Sequence, residues 1–168
     1  TLLCAVPPCL VLSPSSNPHV LHLPHTPLPS LFPLQSISIV DKGASELGTS
    51  LRAFKNLTEL SITGNKFSAI SGSELPQSIE ILHAACNNMC TLGSLHSAPP
   101  LLAHLGVGYN FLRQIDLPPG CFTNLVSLDI GNNQISDLKA AVCELERLPK
   151  LAVLNAAGNP CALLPWYR

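Results

Sequence analysis

The chain has 168 residues, 46% of them apolar and only 11% charged, with a formal net charge of -1; this is the length of one domain and enough to bury a core. The balanced charge excludes phosphate-dominated nucleic-acid binding as a default and leaves no acidic solvating tail. Sixteen prolines and 5% aromatic residues are unusual for an enzyme core, and they are unevenly placed.

Residues 1–33 form the first unit. No Asp, Glu, Lys or Arg precedes Asp41, and eight prolines fall between Pro7 and Pro33. Proline removes backbone donors and pushes the preceding residue toward extended conformations, so an irregular, apolar leader is expected. The apolar run 2–12 is broken by Pro7 and Pro8 and lacks the basic flank of a signal peptide, and nothing here is long enough to span a membrane as a helix. Pro24-His25-Thr26-Pro27 is a single PxxP without a basic neighbour, a weak ligand for a proline-reading module. Thr1 at the start, in place of Met, reads as a fragment or a processed product.

From residue 34 onward one pattern repeats. Leu57, Leu60, Ile62, Asn65 and Phe67 stand at offsets 0, 3, 5, 8 and 10. The offsets recur at Ile79, Leu82, Ala84, Asn87 and Met89; at Leu102, Leu105, Val107, Asn110 and Leu112; at Leu125, Leu128, Ile130, Asn133 and Ile135; and at Leu151, Leu154, Ala156, Asn159 and Cys161. The asparagines are 22, 23, 23 and 26 residues apart. A sixth, degenerate copy comes first, with Leu34, Ile37, Ile39 and Ala44 in phase and Lys42 at the asparagine position. A further apolar residue follows in each copy, at Leu47, Ile70, Leu92, Ile115, Leu138 and Leu164.

The chemistry of the offsets predicts the coil. Two apolar residues flanking one variable residue form a short strand with one buried face, and stacked copies make a parallel sheet. The asparagine amide can satisfy backbone groups where the chain turns inward, in its own coil and the next. The connections 71–76 and 117–120 are short and broken by Pro and Gly, which predicts turns or single 3₁₀ turns. In the longer fourth connection, Leu138, Ala141, Val142, Leu145 and Leu148 follow Asp137 at helical spacing and precede Pro149. A helix of about 11 residues is expected there, capped by Asp137, with Glu144, Glu146 and Arg147 toward solvent.

A repeat of 20–29 residues with this apolar pattern and an asparagine resembles the leucine-rich repeat proteins, and in particular their short-repeat intracellular class. The ending Gly158-Asn159-Pro160-Cys161, Leu164, Pro165, Tyr167-Arg168 is similar to the start of that class's C-terminal cap. The resemblance implies an α/β leucine-rich repeat solenoid over 34–168, with about six repeats, a curved parallel β-sheet, short convex turns and one longer helix near the C-terminus. It also implies a non-enzymatic protein-interaction scaffold in the cytoplasm and, by analogy with axonemal members, in cilia. A truncated cap is expected, with Trp166 and Tyr167 as a partial lid and a chain that self-associates, because terminal coils need a polar cover.

The variable strand positions are the expected partner-binding face. One column runs Ser36, Glu59, Ile81, His104, Ser127 and Val153, the next Ser38, Ser61, His83, Gly106, Asp129 and Asn155, and Thr63 and Tyr109 lie outside them. The candidate contact residues are therefore Glu59, Ser61, Thr63, Ile81, His83, His104, Tyr109, Ser127, Asp129 and Asn155. This small, polar, nearly uncharged surface suits a protein partner, with Tyr109 as its most promising anchor. No catalytic residue, cofactor, metal, nucleic acid, membrane or small-molecule substrate is expected. The nearest candidates to complete a zinc site with His83 and His104 are Glu59 and Asp129 by column, and two histidines fall short of a site.

Seven cysteines, Cys4, Cys9, Cys86, Cys90, Cys121, Cys143 and Cys161, show no paired Cys-x-x-Cys spacing. Cys161 takes an apolar offset and Cys143 is expected on or beside the inner face of the helix, so they read as small hydrophobes of a reducing compartment. Cys90 with His96 lacks the accompanying groups of a nucleophilic site. An extracellular recognition module is the competing reading: Asn56-Leu57-Thr58 is a glycosylation sequon and 117–125 has the cadence of secreted repeats. Against it stand the missing terminal disulfide clusters and the buried position expected of Leu57.

Overall fold

The computed structural model describes residues 34–163; the leader 1–33, with Cys4 and Cys9, and the closing Leu164, Pro165, Trp166, Tyr167 and Arg168, with the expected lid, lie outside the described residues. Six three-residue strands stack in chain order into one parallel sheet: β1 (Ser36–Ser38), β2 (Glu59–Ser61), β3 (Ile81–His83), β4 (His104–Gly106), β5 (Ser127–Asp129) and β6 (Val153–Asn155). Ile37, Leu60, Leu82, Leu105, Leu128 and Leu154 are register partners down the whole stack. The apolar seam expected from the offsets is therefore one continuous line.

Alternation drives each strand. The central residue turns inward and its two neighbours turn outward, and in each of β1 to β5 only the central residue is buried. Burying a leucine of this kind contributes about 1.5–3 kcal/mol. The apolar offsets fill a single core that runs from Ile37 to Cys161. Leu154 departs from the expectation: it occupies the seam in β6, the last described strand, yet is 44% exposed. Its register partner Leu128 covers it from one side only.

The asparagines form the expected ladder, and all five are buried. In Asn110 the side-chain oxygen accepts from the Met89 amide of the preceding coil at 3.0 Å, while Nδ2 donates to Ala84 O at 3.0 Å and to Val107 O at 2.9 Å. Asn87, Asn133 and Asn159 repeat this pattern. Asn65 closes the degenerate first coil by accepting from both Lys42 N and Ala44 N. An unpaired buried backbone group costs about 1–3 kcal/mol, so each asparagine removes several such penalties at once.

The residue just before each ladder position is left-handed. Asp41, Gly64, Cys86, Tyr109, Asn132 and Gly158 have φ of 53, 72, 54, 55, 54 and 75°. The amides of the first five prolong the sheet pairing past the strands, as when Tyr109 N donates to Gly131 O at 2.9 Å and Cys86 N to Gly108 O at 3.0 Å. The chain then turns inward for the asparagine.

The return segments are narrow, as expected: 3₁₀ turns at Thr49–Ala53, Gly72–Glu74 and Gly93–Leu95, with an irregular turn around Gly120. The fourth return carries helix α1 (Leu138–Leu145), whose N-cap Asp137 accepts from Ala140 N at 3.0 Å. It has 8 residues, not the expected 11. The last turn tightens to three-residue steps, Arg147 N to Glu144 O and Leu148 N to Leu145 O, which brings Leu148 into the core ahead of Pro149. Ala141 and Leu148 are buried and Leu138 and Leu145 partly so. Val142 and Cys143 are exposed, which corrects the inner placement expected of both. At about 100° per residue Cys143 stands about 200° around the helix from Ala141.

Candidate interaction surface

Three outward columns make up the face opposite the return segments. The strand register confirms the first two as read, from Ser36 to Val153 and from Ser38 to Asn155. The third, two residues further along, runs Val40, Thr63, Ala85, Gly108, Gly131 and Ala157. Thr63 stays on the strand face, where Ser61 Oγ lies 3.4 Å from its hydroxyl. Tyr109 belongs to the left-handed column beside it, in line with Gly64 and Cys86.

The face is polar at the start of the array and carries few side chains in the middle, where Gly108 and Gly131 are buried. Gly106, Gly108 and Gly131 present no side chain, and the Asp129 carboxylate lies across the last two. A methyl on Gly108 would stand 3.4 Å from Asp129 Oδ1, and one on Gly131 3.1 Å from it. Asp129 Oδ1 accepts from Gly131 N at 2.8 Å and from Asn155 Nδ2 at 3.0 Å, and Asn155 Oδ1 in turn accepts from Ala157 N at 3.1 Å. Both hydrogen bonds on the Asp129 carboxylate fall on the same oxygen.

His83 and His104 do not face each other. His83 is opposite Gly106, and His104 is opposite Ile81, so the imidazoles sit on a diagonal of the grid. Among the described residues no three His, Cys, Asp or Glu side chains are grouped as metal ligands.

Tyr109 is 63% exposed, and Phe111, two residues on and 47% exposed, joins it on the flank of the fourth coil. Phe111 was missed from the sequence. Its position is held by Lys66, Asn88 and Gln134 in the other asparagine coils before the last, so an aromatic at a polar offset was the available signal. The small-residue stretch of Gly106, Gly108 and Gly131 was equally legible in the sequence.

The described cysteines are free thiols. Cys86, Cys90 and Cys143 are exposed, Cys121 is half-buried and Cys161 is buried. Desolvation pushes the Cys161 thiol above its ordinary range, with backbone hydrogen bonds opposing. In the sequon, Asn56 is exposed but Leu57 is buried, and the Thr58 hydroxyl donates to Gln35 O at 3.2 Å. Among the described residues no helix is long and apolar enough to cross a membrane.

A scan against protein-family models finds no match. The chain is similar to leucine-rich repeat-containing protein 43 of Homo sapiens, 33% identical over 139 residues that make up 80% of this chain and 21% of that protein. It is 35% identical to leucine-rich repeat-containing protein 43 of Mus musculus over the same shares. X-ray radiation resistance-associated protein 1 of Mus musculus is 28% identical over 117 residues, 69% of this chain and 14% of that protein. The chain thus spans about one fifth of the length of the first two relatives. Repeating offsets, a single parallel ladder, buried asparagines and these relatives together make this chain a leucine-rich repeat protein.

Proposed function

We propose that the chain is a non-catalytic scaffold that holds a polypeptide partner against the sheet face. One observation carries the reading: Tyr109 is exposed on a left-handed backbone. It fills no core and strains its own chain, by about 1–2 kcal/mol for a residue with a Cβ. Every coil demands a left-handed residue here, and only the fourth meets the demand with an exposed aromatic side chain. Tyrosine also suits an interface anchor, being large, stiff and tipped with a hydroxyl. The partner surface is the set of residues read from the strand columns, from Glu59 to Asn155, with Phe111 added beside Tyr109. Repeat arrays work in this way because each coil contacts only its neighbours and the sheet holds its outward columns at fixed spacing.

The setting we propose is the cytoplasm and the cilium, following the axonemal members of the class that the repeats resemble. A photo-crosslinking residue placed at Ser61 or Ser127 is expected to capture a discrete protein from ciliated cells, and one placed at Gln77 on the return side is not. Tyr109→Ala should then weaken binding of the captured protein by about tenfold or more without loss of fold. Capture from Gln77 alone, or unchanged affinity of the Tyr109 variant, would overturn the reading.

A further inference from the structure

We propose, resting on the sheet-face reading above, that the partner is a cationic, extended polypeptide segment, one of whose Lys or Arg side chains pairs with the Asp129 carboxylate. The charges on the face point this way. Its three columns carry the carboxylates of Glu59 and Asp129 and no Lys or Arg, and Glu80 adds a third carboxylate at the strand-start rim. The described basic residues lie elsewhere on the chain, at Lys42, Arg52, Lys55, Lys66, Arg113, Lys139, Arg147 and Lys150. A surface with one sign of charge selects a partner of the other and speeds its encounter.

Geometry singles out Asp129. Gly108 and Gly131 are buried, and the Asp129 carboxylate, itself exposed, lies against both. Its Oδ1 is already shared by Gly131 N and Asn155 Nδ2, which holds the carboxylate in place while Oδ2 makes no hydrogen bond among the described residues. A cation on the face therefore meets a fixed carboxylate with one oxygen unpaired, the kind of acceptor that Arg and Lys favour, and the exposed Tyr109 belongs to the coil before it. The Glu59 carboxylate, two coils toward the N-terminus from His104, makes no hydrogen bond or ion pair among the described residues and offers a second contact. Six strands at about 4.8 Å span about 24 Å, the reach of roughly seven or eight extended residues.

The test uses the full 168-residue chain and three fluorescein-labelled peptides of about eight residues, built from Gly alternating with Arg, with Glu or with Ser. Fluorescence anisotropy across a salt series is the readout. The Arg peptide is expected to bind best and to weaken as salt rises. Glu59→Gln with Asp129→Asn should reduce its affinity by about tenfold or more, and Tyr109→Ala should reduce it too. The charge-matched control, Glu46→Gln with Glu146→Gln, changes the same number of charges away from the face and should leave it intact. Equal or better binding of the Glu or Ser peptide, binding insensitive to Asp129→Asn, or no binding of the Arg peptide would overturn the cation assignment. Preference for the Ser or Glu peptide that is still lost in Tyr109→Ala would leave the sheet-face reading standing, so the two failures are distinguishable.

Discussion

Each coil demands one left-handed residue ahead of its ladder position, and five residue types meet that demand at six positions. At Gly64 the turn is made without a Cβ, and the Asp41 carboxylate of the preceding coil occupies the space a Cβ would need. Gly64→Ala is therefore expected to lower stability by about 1–2 kcal/mol from the backbone alone, and further by displacing Asp41. A lower urea midpoint at unchanged slope would show it. Tyr109 meets the same demand with a large exposed side chain. Tyr109→Gly should be more stable than Tyr109→Ala by about 1 kcal/mol, because only glycine relieves the turn, while both lose the partner equally. Urea melts of the two variants, with binding measured alongside, separate the backbone role of this position from its contact role. The buried Cys161 adds a pH dependence. Its thiol is held protonated by desolvation, so the unfolded chain loses that proton first as pH rises. The contribution is fully present below the ordinary thiol range and is lost above it. The urea midpoint should fall there for the wild-type chain and less for Cys161→Ala, and iodoacetamide should modify Cys86, Cys90 and Cys143 well before Cys161. The ladder asparagines were legible because their spacing repeats. The left-handed column was half-legible: Gly64, Gly158 and Asn132 are residues that tolerate such turns, whereas Cys86 and Tyr109 give no sign of one.

Among the elements, the three-residue strands depend almost wholly on stacking, whereas α1 also has local support. Asp137 caps it, and Arg147 pairs with Glu144 at 2.7 Å on its outer side. That exposed pair adds little; the cap adds more. Asp137→Ala should cost about 1 kcal/mol, with amide exchange rising in α1 and remaining unchanged in β3 if the loss stays local. The helix was legible from the three- and four-residue steps after Asp137. Its end was not, because the tightening at Arg147 and Leu148 serves the approach of Leu148 to the core, a tertiary requirement. The same holds for Val142 and Cys143: an apolar residue at a helical step does not reveal which side of the helix has a neighbour.

For the molecule as a whole, every strand is paired with the next in sequence, so stability accumulates coil by coil. Position along the stack then decides what a seam leucine is worth. Leu82 is fully buried between β2 and β4, while Leu154 has a register partner on one side and is 44% exposed. Leu82→Ala is expected to cost about 2–5 kcal/mol and Leu154→Ala less than half as much, as urea denaturation of the two variants would show. The sequence alone determined the period, the order of the strands, their register and the asparagine ladder, because each follows from apolar and amide groups recurring at fixed offsets in consecutive coils. Only the tertiary structure decided how exposed Tyr109, Phe111 and Leu154 are, where the Asp129 carboxylate rests and which side of α1 is covered. Those depend on what neighbouring coils leave open, and a repeat pattern does not record the space between its copies.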